Sequence, residues 1–141
     1  MASQGVGVDA SFPAESRIRK RADFLRVQRG STFSVRSATF LMLLAPAPPG
    51  VACPRLGLVV GRKFGNSPTR ARFKRLAREW FRQHKDWFPG PIDVVLLARG
   101  AAPSKRLETL HAELMQCEQR TRRGACDVFA KRLNAEARPH I

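Results

Sequence analysis

Acidic residues are scarce in this chain. Only 11 Asp and Glu stand against 26 Lys and Arg in 141 residues, leaving a formal net charge of +15. Such a field concentrates polyanions around the protein and speeds encounter with them, which makes nucleic acid the leading class of partner. Long apolar runs are missing as well: no stretch approaches the roughly 18 residues needed to span a bilayer, so an anionic membrane has no anchor to hold and the chain reads as soluble. The opening MASQGVGVDASFPAES has neither the charged start nor the continuous apolar core of a secretion signal, which points to the cytoplasm. Cysteines are few. Cys53, Cys117 and Cys126 show no C-x-x-C spacing and no paired histidines, against both a disulfide framework and a zinc site. His84, His111 and His140 are scattered, and Asp23, Glu79, Asp86 and Asp93 share no motif, so surface solvation and local pairing account for them. No catalytic residue, no metal ligand and no small-molecule substrate is expected of the protein itself.

With 43% hydrophobic residues the chain is sized for one domain with a core. Residues 1–16, small and polar, read as a mobile extension. RIRKRADFLRVQRG then spaces Phe24 and Val27 three apart and closes on Gly30, the pattern of a short helix with a glycine stop. TFSVRS and ATFLMLLA are strand-like, and the proline-rich PAPPGVACP is a loop. RLGLVVGR is a strand with Leu56, Leu58 and Val60 on one face and Val59 on the other. A helix comes next, with Ser67 as N-cap, Pro68 in its first turn, and Phe73, Leu76, Ala77, Trp80 and Phe81 on one apolar face. IDVVLLAR, nearly all apolar, is a strand buried on both faces, completing a βαβ unit. A last helix begins after Pro103, with Ser104 as cap and Leu107, Leu110 and Leu114 inward. Gly124 interrupts the helical pattern beyond it, so residues 118–141 read as a separate, basic and partly helical extension to a domain spanning 17–117. The whole is a mixed α/β domain with a sheet of about four strands.

The stretch GRKFGNSPTRARFKRLAREWFR concentrates the charge. At 100° per residue Arg70, Lys74, Arg75, Arg78, Arg82 and Lys85 fall within one arc of about 140°, opposite the apolar face. Like charges four apart, such as Arg70 with Lys74 and Lys74 with Arg78, each cost roughly 0.2–0.5 kcal/mol in an isolated helix. With only Glu79 and Asp86 nearby to offset them, an anionic partner is implied. Arginine predominates, and its planar fork matches phosphate oxygens. Gly65 and Asn66 tolerate left-handed backbone and would leave N–H groups free at the helix start, where anions bind.

These residues also carry a resemblance. RKFGNSPTRARFKRLAREWFR is similar to the signature of the bacterial ribonuclease P protein subunit, approximately K-x-G-N-A-V-x-R-N-R-x-K-R-x-x-R-E-x-F. The match lies in Lys63, Gly65, Asn66, Arg70, Arg72, Lys74, Arg75, Arg78, Glu79 and Phe81. The opening helix with F-x-x-V, the strand RLGLVVGRK and the strand IDVVLLAR resemble the family's flanking elements, so the likeness runs from about Arg17 to Cys117. It implies a compact two-layer α/β sandwich with a mixed four-stranded sheet and a left-handed crossover, against the usual preference. It also implies a protein that does not cut RNA itself. Such a protein binds a large catalytic RNA, contacts the 5′ leader of precursor tRNA, and assists Mg2+-dependent removal of that leader, the Mg2+ being held mainly by the RNA. By position, Arg62, Lys63, Asn66, Arg70, Arg72, Lys74, Arg75 and Arg78 would face the catalytic RNA. Phe24 would stack on a leader base, with Arg17, Arg19, Lys20 and Arg21 adding phosphate contacts. This chain departs from the pattern at Ala71, which replaces the central Asn and its amide, at Ser67-Pro68, and at Gln28, where an aromatic is usual. The competing reading is another basic RNA- or DNA-binding module, such as a ribosomal protein.

Overall fold

The computed structural model describes residues 14–30, 33–99 and 107–137, with side chains through 133. Its elements are α1 (Arg21–Gly30), β1 (Phe33–Arg36), β2 (Phe40–Pro46), β3 (Arg55–Val59), α2 (Ser67–Gln83), β4 (Ile92–Ala98), α3 (Leu110–Gln116) and α4 (Glu118–Ala137). The four strands lie in the order β1-β2-β4-β3. Strand β2 is antiparallel to both β1 and β4, while β3 runs parallel to β4. The parallel pair is the one joined through α2, as the strand–helix–strand pattern predicts. The two central strands are apolar on both faces because both faces are covered. Met42, Leu44, Val94 and Leu96 pack under Phe73, Ala77, Trp80 and Phe81 of α2 and Leu110 and Leu114 of α3. The alternate residues Leu43, Ala45 and Val95 meet Val27 of α1 and Ile18. The expected sandwich thus holds for the sheet and α2–α4, and α1 adds a short layer on the opposite face.

Helix α2 starts one residue earlier than its sequence suggests. Asn66, not Ser67, is the N-cap: its backbone is extended and its side-chain oxygen accepts from Thr69 N–H, leaving Ser67 and Pro68 in the first turn. Both residue types cap well, so tertiary placement decides between them. Gly65 is likewise extended (φ 167°), not left-handed. At its other end the helix stops at Gln83, so Lys85 does not belong to the basic arc. It sits in a following short turn, and its Nζ donates to Ser16 Oγ at 2.9 Å. Edge-on aromatic pairs, Phe64 with Phe73 and Trp80 with Trp87, fix both ends of α2 to the adjoining turns.

Gly124 does not interrupt the last helix. It lies inside the 20-residue α4, and a Cβ there would fall 2.2 Å from the ring of Phe33. A mid-helix glycine costs about 1 kcal/mol relative to alanine. Here the missing side chain lets the β1 aromatic lie across the helix, and burial of that ring offsets the cost. Thr121, Ala125 and Val128 are buried, the last two in the same core as α2 and α3, so α4 is packed on the sheet rather than standing apart from it. Leu107, Leu110 and Leu114 face inward as their spacing predicts, while Ser104 lies outside the described residues.

Candidate nucleic-acid interface

The short segment before α1 runs alongside the sheet's edge. Arg17 bridges Leu56 in parallel, and Ile18 N–H donates to Leu56 C=O at 3.0 Å. Ile18 turns into the core, which leaves its neighbours Arg17 and Arg19 on the outer side. Across from them stand Lys74 and Arg78, one turn apart on α2. Together with Ile18, Phe24, Leu56 and Leu58 these four cations line a cleft of about 220 Å³. A neighbouring hollow of about 580 Å³ continues from it past Arg19, Arg21, Phe24, Gln28, Leu58, Val60 and Lys74. Partial burial, and then the charge of Arg17, lower the pKa of Arg78. A guanidinium remains ionised regardless, so two arginines share the same cleft, a setting that favours an entering anion.

Phe24 is partly core and partly open to the cleft. Half-buried, it packs over β3 at Gly57, where a Cβ would come within 2.6 Å of its Cε1 and 3.1 Å of the Ile18 Cβ. The ring also lines both hollows. Alanine at Gly57 should therefore push the ring off the cleft floor. We expect affinity for RNA bearing a single-stranded 5′ extension to fall about tenfold, within the range for loss of one stacked base, with little change for RNA lacking the extension. Equal affinities with and without Gly57 would show that the ring does not touch RNA.

Arg62 and Lys63 are exposed on a short turn whose third residue, Phe64, is buried and anchors it. Arg70 is committed locally: its Nε donates to Gly65 C=O at 3.1 Å and its Nη2 to Ser67 Oγ at 3.0 Å. The open helix start expected to bind phosphate is thus partly closed, since Asn66 takes one N–H, Pro68 has none, and the Arg70 side chain folds back over the turn. Arg75 is exposed and Arg72 half-buried on α2, and neither lines the cleft beside Phe24. The predicted cations therefore divide into a group gathered around Phe24 and a group spread along the helix and its preceding turn.

Reading the sequence missed what holds α1 in place. Asp93 is fully buried, not at the surface, and accepts both Arg55 Nε (2.8 Å) and Arg55 Nη2 (2.7 Å) as well as a bond from Arg26. Asp23 approaches the same two arginines at 3.6 and 3.7 Å. The bonds that Arg55 donates to the Asp93 carboxylate outweigh burial and raise the Arg55 pKa. Two acids and two bases thereby neutralise one another beneath the helix that carries Phe24. A lone Asp in the otherwise apolar IDVVLLA was the available signal, because a buried carboxylate needs cationic partners. His84 and His111 also come together, ring centroids 6.2 Å apart, with His84 against Trp87. His140 lies outside the described residues.

The ribonuclease P family model matches residues 12–122. The chain belongs to the ribonuclease P protein family. Among its curated relatives, the ribonuclease P protein component of Desulfatibacillum aliphaticivorans is 35% identical over 116 residues, covering 82% of this chain and 95% of the relative. That of Syntrophus aciditrophicus is 38% identical over 99 residues, covering 70% and 80%. The solved ribonuclease P protein of Thermotoga maritima superposes with a TM-score of 0.62 at 32% identity, covering 74% of this chain and 98% of that one. The fold and the role in tRNA 5′ processing are therefore those of the bacterial ribonuclease P protein, and the ribosomal-protein alternative is not favoured. Among the described residues, no helix is long and apolar enough to cross a membrane.

Proposed function

We propose that this ribonuclease P protein acts in the cytoplasm as an accessory subunit, binding a catalytic RNA and the 5′ leader of precursor tRNA while the RNA carries out the cleavage. The observation that supports this most is the meeting of Arg17, Arg19, Lys74 and Arg78 around a half-exposed phenylalanine. Cations track the phosphates of a flexible single strand, and the ring accepts a base without needing its identity. The exposed cations Arg62, Lys63 and Arg75, with the half-buried Arg72, Arg70, Lys74, Arg78 and the Asn66 turn, form a second, longer surface suited to the catalytic RNA. On this reading the Mg2+ that the cleavage needs is held mainly by the RNA. Ala71, exposed on α2, offers no amide to RNA or to a metal-bound water, and the flanking arginines must serve without one.

Reconstitution with the organism's catalytic RNA at low Mg2+ tests the proposal. Added protein should restore cleavage of precursor tRNA at its 5′ end, and protein freed of RNA should leave that substrate intact. Cleavage by the RNA-free protein, or failure to rescue together with tight binding to duplex DNA, would overturn it.

A further inference from the structure

His84 closes α2 as its C-cap residue, and His111 sits in the first turn of α3. Their ring centroids are 6.2 Å apart, with the planes inclined by 46°. Both positions are anchored. The His84 ring rests against Trp87 at 5.1 Å, and Trp87 in turn packs edge-on against Trp80 of α2. His111 is exposed, but Leu110 beside it and Leu114 one turn on are fully buried, which fixes α3 against the core. Neither histidine lines the hollows around Phe24. Neutral imidazole is the commonest protein ligand for metals such as Zn2+, Ni2+ and Cu2+, whereas Mg2+ seeks oxygen. With nitrogens about 2.0–2.1 Å from a shared ion, two ring centres come to lie roughly 4.5–5.5 Å apart. The observed separation is wider by about an ångström, which a turn of the exposed His111 ring removes.

We propose that His84 and His111 form a two-histidine site for a divalent transition-metal ion, separate from the Mg2+ of the cleavage, that clips the end of α2 to the start of α3. Among the described residues no third His, Cys, Asp or Glu joins the pair. Water therefore completes the shell, and the ion exchanges with solution instead of being locked in as at a four-ligand structural site. Occupancy stabilises the folded protein, because the unfolded chain does not hold the two rings together.

The chain's 2 tryptophans, Trp80 and Trp87, stand beside the pair and report on it, since a bound Ni2+ quenches nearby indole fluorescence. The full-length protein would be titrated with NiCl2, and with MgCl2 as the control, while fluorescence and melting temperature are followed. NiCl2 should give saturable single-site quenching and raise the melting temperature by several degrees, and MgCl2 should do neither. The exposed thiol of Cys126 is the competing ligand, and it is untouched in His111→Gln. That variant should melt with the parent when no metal is added and bind Ni2+ at least about tenfold more weakly. Absence of saturable quenching would overturn the proposal. So would equal Ni2+ affinity in the parent and in His111→Gln, which would place the ion elsewhere.

Discussion

Replacing Arg70, Lys74 and Arg78 together by alanine should flatten the salt dependence of RNA binding by about two to three units of log–log slope, since each phosphate contact contributes about 0.7 on a single strand and about 0.9 on a duplex. Lys74 and Arg78 supply the direct part of this effect because both face the Phe24 cleft. Arg70 acts partly through geometry, as its bonds to Gly65 and Ser67 hold the turn that leads into α2. The Lys74/Arg78 double variant should consequently lose about one to two units while keeping the helical signal of the parent. The extra loss in the triple variant should come with a lower melting temperature. Binding measured between 50 and 200 mM salt decides the matter, and a slope that does not move would mean this face is only solvated.

The second large effect concerns stability. Asp93→Asn removes the carboxylate that two arginines share, leaving Arg55, whose side chain is only 13% exposed, without its principal counter-charge. Breaking a buried pair from one side typically costs about 3–5 kcal/mol. Since Arg26 is 37% exposed and can turn toward water, the lower end applies. A loss of about 3 kcal/mol should lower the melting temperature by about 10 °C in a chain of this size. Leader affinity should fall as well, because Asp23 and Arg26 flank Phe24 and Leu25 on α1 and the network sets the height of that helix over the sheet. A melting temperature within about 3 °C of the parent would show that the cluster is not what docks α1.

The parts of the molecule that could be read from the sequence are those whose cause is local. Helix α2 announces itself because its apolar stripe and its basic arc share a single period, and β4 because an apolar run bounded by prolines and glycines has few other fates. Features set by distant residues were hidden. Gly124 looks like a break unless one knows that Phe33, on the first strand, needs the space above it. Asp93 looks like a solvated acid unless Arg26 and Arg55, 67 and 38 positions away, are brought beneath it. The N-cap was misplaced by one residue because Asn66 and Ser67 compete on nearly equal terms. At the interface the residue types and the Phe24 cleft were legible from the family resemblance. The commitment of Arg70 to its own turn was not, because it depends on a backbone carbonyl that the sequence does not mark.

A protein with so strong a positive charge must also survive without its RNA, and the bridge between Arg17 and Leu56 bears on that. Strand β3 closes one side of the sheet, and its outer backbone groups would be a template for strand addition by another chain. The N-terminal segment shields that side with a single ladder contact and sets Arg17 and Arg19 along it. A second copy approaching edge-on would meet its own charge before it met a hydrogen bond. The same arginines that invite a polyanion would thus act as gatekeepers against self-association.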